Sequence, residues 1–111
     1  MKKSETVYLK QIRDYIDKIN RYIKDKDFKS FQKDDLLQDA VIRNLEVIGE
    51  TANRLSKEFL EKHSDLPLLK AVVMRHKLIH DYDEINLKIV WNTIKKDLPG
   101  LRKKIVKILK E

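Results

Sequence analysis

Glycine and proline together occupy only four of the 111 positions: Gly49, Pro67, Pro99 and Gly100. A chain so poor in turn-forming residues cannot reverse direction roughly every ten residues, as a β-sandwich must. Disorder fits no better, because hydrophobic residues make up 41% of the sequence, enough for a core despite a charged share of 39%. Long helices with heavily charged outer faces remain. Cysteine is absent, which excludes disulfides and thiolate chemistry.

The apolar residues recur three and four apart, the period of one helix face. Tyr8, Ile12, Tyr15, Ile16, Ile19 and Ile23 mark a first helix over about 5–24, with Ser4 placed to cap it. The polar stretch Asp25 to Lys29 ends it. Leu37, Val41, Leu45, Ile48, Ala52, Leu55 and Phe59 mark a longer second helix, opening at Ser30 or Asp34 and running to Glu61. Gly49 in its middle costs about 1 kcal/mol relative to alanine; it either admits a neighbouring backbone or is simply tolerated. His63 to Pro67 reads as a connector, and Pro67 opens a third helix that extends to Ile79. Asp81-Tyr82-Asp83 breaks the pattern. A fourth helix spans about 84–98, with Trp91 expected in the core. Pro99-Gly100 punctuates it, and a short fifth helix turns Leu101, Ile105 and Ile108 inward. The reading is one all-α domain over 1–111, an up-and-down bundle of four to five helices. Stripes this long are hard to bury in so short a chain, so a bundle that pairs with itself is expected.

The net charge of +7 favours polyanionic partners without specifying one; a lysine-rich composition also suits an AT-rich genome or a hot habitat. Neither a signal-peptide core nor a run of about 18 apolar residues is present, so a cytoplasmic protein with no membrane partner is expected.

The stretch richest in chemistry is Met74-Arg75-His76-Lys77-Leu78-Ile79-His80-Asp81-Tyr82-Asp83. In an unbroken helix, residues five apart diverge by about 140°, so Arg75 and His80 meet only if the helix stops near His80. The following polar break supplies that stop. Arginine offers a planar fork of donors to two phosphate oxygens and stabilises charge added in a transition state. Histidine, titrating near neutrality, can take a proton from a 2′-hydroxyl or give one to a leaving 5′-oxygen. Such a pair can cleave RNA without a metal or other cofactor, and spares DNA, which lacks the nucleophile. Two plainer readings stand beside this one. His76 and His80, four apart on a helix, suit a shared metal that Asp81 or Asp83 would complete, although Lys77 stands where the zinc-protease HExxH pattern needs glutamate. Alternatively, the same side chains are ordinary surface or core residues.

Arg75-x4-His80-x-Tyr82 matches the RX4HXY motif, and the chain resembles the HepT toxins of the HEPN superfamily. Two further blocks carry the resemblance: Ala40 to Ala52, similar to that family's long second helix, and Asp81 to Asn86 with Val90-Trp91 and Asp97-Leu98-Pro99. Many members have asparagine directly after the motif arginine, whereas this chain has His76, as the wider superfamily allows. The resemblance implies a metal-independent endoribonuclease, catalysed by Arg75 and His80, that acts as a homodimer with the motifs of two subunits facing a shared cleft. It further implies a type VII toxin–antitoxin system acting on tRNA or mRNA. The antitoxin would be an MntA-type nucleotidyltransferase that AMPylates Tyr82. The bulky, negative adenylyl group beside Arg75 would then block the phosphate site.

Supporting roles fall to His76 and to Glu46, Glu50 and Asn53, which with Gly49 share one helix face. A carboxylate there would hold the Arg75 guanidinium, or form an interhelical salt bridge of structural kind. Arg102, Lys103, Lys107 and Lys110 are candidate RNA contacts, on a face that also looks like a solvated one. Two alternatives compete with the nuclease: a non-catalytic HEPN subunit that binds nucleotide or substrate for a minimal nucleotidyltransferase, and a purely structural helical dimerisation domain.

Overall fold

A computed structural model of the chain describes residues 1–67, 71, 72, 74 and 85–111. It is all-helical, with no strand among the described residues. Helix α1 spans Lys3–Ile23 and completely buries Ile12, Ile16 and Ile19 of its predicted stripe, together with Leu9, which the stripe did not include. Ser4 does not cap it. Lys2 occupies the cap position without a side-chain bond, and the Thr6 amide reaches back to the Lys2 carbonyl at 3.2 Å. Glu5, in this first turn, is buried.

The turn after α1 places Asp25 in the left-handed region at φ 62°, and the Lys26 amide closes onto the Ile23 carbonyl at 2.9 Å. Asp27 then caps a short helix, α2 (Phe28–Gln32). Its carboxylate accepts from the Ser30 amide at 2.8 Å, while the Ser30 hydroxyl accepts from the Asp27 amide at 3.1 Å. Hydrogen bonding from the Ser30 backbone, and next from its side chain, holds the Asp27 carboxyl below its usual range. Asp34 caps α3 (Asp35–Ala52), which buries Leu37, Val41, Leu45 and Ile48 and is the main partner of α1.

The second helix opens at Asp34, the later of its two expected starts, but does not run unbroken to Glu61: α3 stops at Asn53, and Ser56 caps a new helix, α4 (Lys57–Lys62). Buried Leu55 and Phe59 continue the apolar period across this break, so the stripe survives although the helix does not. The connector 63–67 follows as predicted. Ala71 and Val72 are helical, and the rest of the expected third helix lies largely outside the described residues.

Asn86 caps α5 (Leu87–Asn92), where Trp91 sits in the core against Phe31, with ring centroids 5.2 Å apart. Pro99-Gly100 does not end the helical run, contrary to expectation. A π-helical turn over Thr93–Asp97 leads directly into α6 (Leu98–Leu109), with the Leu98 amide bonded to the Thr93 carbonyl. A proline inside a helix lacks its N–H and clashes with the carbonyl four residues back, here that of Lys95. The wider π turn immediately before Pro99 relieves this conflict. Leu101, Ile105 and Ile108 face inward as expected, and α6 packs on α1.

Within one copy of the chain the described stripe residues of α1, α3 and α6 are buried, apart from Tyr8 and Tyr15, which stay half-buried.

Candidate functional site

The motif residues Arg75, His76, His80 and Tyr82 lie outside the described residues; the structure does describe the elements on either side. Upstream, the connector is clipped to α6. The Lys104 ammonium donates to the Asp65 carbonyl at 2.6 Å and to its carboxylate at 3.2 Å. Downstream, the Asn86 carboxamide accepts from the Ile89 amide at 3.1 Å and fixes the start of α5. The Lys104 hydrogen bond, followed by its charge, lowers the Asp65 pKa.

Of the supporting residues, Glu46 is half-buried and Glu50 exposed on α3, while Gly49 between them is buried. They form an edge row where the helix meets its neighbours. Among the described residues neither carboxylate has a cationic partner. Asn53 ends the helix instead of continuing it, its amide bonded to the Gly49 carbonyl at 3.1 Å.

The basic residues of α6 divide into two groups. Arg102 turns toward α1 and grips Asp17 with both arms of its fork, Nε to Oδ1 at 2.5 Å and Nη2 to Oδ2 at 3.3 Å. This pairing raises the guanidinium pKa further and commits Arg102 to holding two helices together. Lys103, Lys107 and Lys110 are exposed and form no ion pair with any described residue.

One polar cluster was not anticipated. Glu5 is only 6% exposed. It accepts a short hydrogen bond from the Ser56 hydroxyl, whose oxygen in turn accepts from the Phe59 amide at 3.0 Å. A hollow beside it is bordered by Lys62 and by His63, which stacks on Phe59 at 4.6 Å between ring centroids. Both hydrogen-bonding functions of Ser56 are thus engaged by Glu5 and Phe59, which makes it a cap and not a nucleophile. The available signal was position: Glu5 lies four and seven residues before Leu9 and Ile12, on the buried stripe. No group of three metal-binding side chains occurs among the described residues, and no described helix is long and apolar enough to cross a membrane.

A helical bundle with a chemistry-bearing segment between its connector and α5 is the arrangement expected of a HEPN-like protein, and the comparisons agree. The family described as Ribonuclease HepT-like matches residues 12–108; the chain belongs to the HepT-like ribonuclease family. A candidate RNase of Caldanaerobacter subterraneus subsp. tengcongensis is 40% identical over 109 residues, covering 98% of this chain and 97% of its own. A probable ribonuclease HepT of Thermococcus cleftensis is 36% identical over 110 residues, covering 99% and 100%. A Methanocaldococcus jannaschii protein named as a γ-glutamylcyclotransferase and candidate RNase is 40% identical over 111 residues, but this chain spans only 50% of it. No solved structure matches.

Proposed function

We propose that this chain is a single-domain, metal-independent endoribonuclease toxin. The observation that carries the reading is the order Arg75-x4-His80-x-Tyr82 inside the stretch that matches the HepT-like family. Arg75 binds the non-bridging oxygens of the scissile phosphate and stabilises the charge that builds there. The 2′-hydroxyl oxygen attacks phosphorus, and the bond to the 5′-oxygen breaks. His80 either takes the proton from the nucleophile or gives one to the leaving oxygen, and water accepts or supplies the other. The products are a 2′,3′-cyclic phosphate and a 5′-hydroxyl end. A homodimer brings two motifs to one cleft, where Glu46 or Glu50 orients a guanidinium and His76 and Asn53 contribute polar support. Control comes from an MntA-type nucleotidyltransferase. The Tyr82 phenolate attacks the α-phosphorus of ATP, pyrophosphate leaves, and the adenylyl phosphate then occupies the Arg75 site.

The test is cleavage of RNA by the purified protein in EDTA, with end-group analysis. Cyclic phosphate termini are expected from the wild type. Arg75→Ala and His80→Ala should each lower the rate by a factor of about 100 or more while circular dichroism is unchanged. Wild-type rates in both variants would overturn the assignment of these residues. Tight nucleotide binding without cleavage would instead favour a non-catalytic binding subunit. Mass spectrometry after co-expression with the nucleotidyltransferase should show adenylyl mass on the Tyr82 peptide.

A further inference from the structure

The reaction leaves the lysine-rich end of the chain without a task. Residues 87–111 hold eight lysines and arginines against Asp97 and Glu111, and so carry +6 of the net +7; the remainder is close to neutral. On α6, Arg102 and Lys104 are held by Asp17 and Asp65, whereas Lys103, Lys107 and Lys110 are exposed with no carboxylate partner among the described residues. These three recur at i, i+4 and i+7, a row about 10 Å long on one helix face. They border a shallow surface hollow of about 540 Å³ that also includes half-buried Val106. Gly100 lies on the same face, with no atom within 4 Å of where a Cβ would stand, so the row is open at that end. Like charges at such spacing repel and weaken a helix. An acidic partner would relieve this; Asp65 and Glu111 border a hollow beside Lys107, but no described carboxylate forms an ion pair with any of the three, and a polyanion can.

We propose that Lys103, Lys107 and Lys110 form a track for the phosphodiester backbone of single-stranded RNA, distinct from Arg75 and His80. RNA as the occupant rests on the ribonuclease reading. The contact is electrostatic and indifferent to sequence: each lysine displaces counterions from a phosphate, and Val106 offers an apolar surface to a ribose or base.

The experiment measures binding of a single-stranded RNA oligomer with 2′-O-methyl riboses, which cannot be cleaved through the 2′-hydroxyl, across a range of salt concentrations. The variant Lys103→Gln/Lys107→Gln/Lys110→Gln is compared with Lys10→Gln/Lys18→Gln/Lys24→Gln, which removes equal charge from exposed positions of α1 and the residue that follows it. Each phosphate contact contributes about 0.7 to the salt slope for a single strand, so the α6 variant should lose about 2 from that slope and bind at least roughly tenfold more weakly in moderate salt. The α1 variant should stay near wild type. Equal losses in the two variants would reduce the effect to overall charge, and absence of probe binding by the wild type would remove the track; either result overturns the proposal. So would unchanged RNA binding with an altered oligomeric state, which would make this face a protein interface. Cleavage is scored separately on unmodified RNA. Lysine-dependent binding without cleavage refutes the nuclease alone, and cleavage with unaltered binding in the α6 variant refutes the track alone.

Discussion

Ser56 shows how much one small side chain settles in this molecule. Its hydroxyl starts α4 and satisfies the buried Glu5 carboxylate from α1, joining residues 51 apart in sequence. Ser56→Ala removes a cap worth about 1 kcal/mol and leaves a buried acceptor without its donor, a further cost of about 1–3 kcal/mol. A loss of roughly 2–4 kcal/mol in urea unfolding is expected; Ser56→Thr should recover most of it, and a loss under about 0.5 kcal/mol would show that water replaces the hydroxyl freely. Asp25 argues in the opposite direction. At φ 62° it occupies a region that costs an ordinary L-residue about 1–2 kcal/mol, somewhat less for aspartate. Asp25→Gly removes that strain and adds about 0.5–1 kcal/mol of chain entropy loss. A net gain of up to about 1 kcal/mol is expected, visible as a higher Tm.

At the scale of elements, the sequence revealed faces better than ends. The apolar period of Leu37 to Phe59 belongs to one buried surface, but period alone does not reveal that the backbone stops at Asn53 and restarts at Ser56. The restart is set by the Ser56 cap, and the same hydroxyl is tied to Glu5, a partner no local pattern contains. Pro99-Gly100 misleads in the other direction, because the π turn at Thr93–Asp97 lets the helix pass through a residue that normally ends one. The motif was legible because Arg75, His80 and Tyr82 are close in sequence; the role of Glu46 or Glu50 is not, since it depends on contacts between elements. The clip between Asp65 and Lys104 yields a pH prediction. The folded Asp65 pKa lies below the usual 3.8, so the clip's stabilisation is complete above that usual value and lost as pH falls through the lower folded pKa. Hydrogen exchange at the Leu66 amide, bonded to the His63 carbonyl, should accelerate relative to the intrinsic rate only in that acid window. Asp65→Asn should show the faster exchange at neutral pH as well. Equal protection in the two proteins at neutral pH would mean the connector is held by other contacts.

For the whole molecule, the question is what a dimer would rest on. The chain measures 42 × 30 × 19 Å along its principal axes, and its short dimension corresponds to about two helix layers. Within those layers Ile12, Ile16 and Ile19 are already fully buried by α3 and α6 of the same chain. The protomer buries these residues by itself, so a homodimer is expected to join two folded bodies. Ile16→Ala separates this from an obligate dimer. It should cost about 2–5 kcal/mol through lost burial and the cavity left behind. That loss should be the same at low and high protein concentration, even if the wild-type midpoint itself shifts with concentration through mass action. Urea unfolding of both proteins at two concentrations a hundredfold apart provides the measurement. If the loss instead shrinks markedly at the higher concentration, subunit pairing compensates for the cavity, and the α1 stripe belongs to the interface as well as to the core.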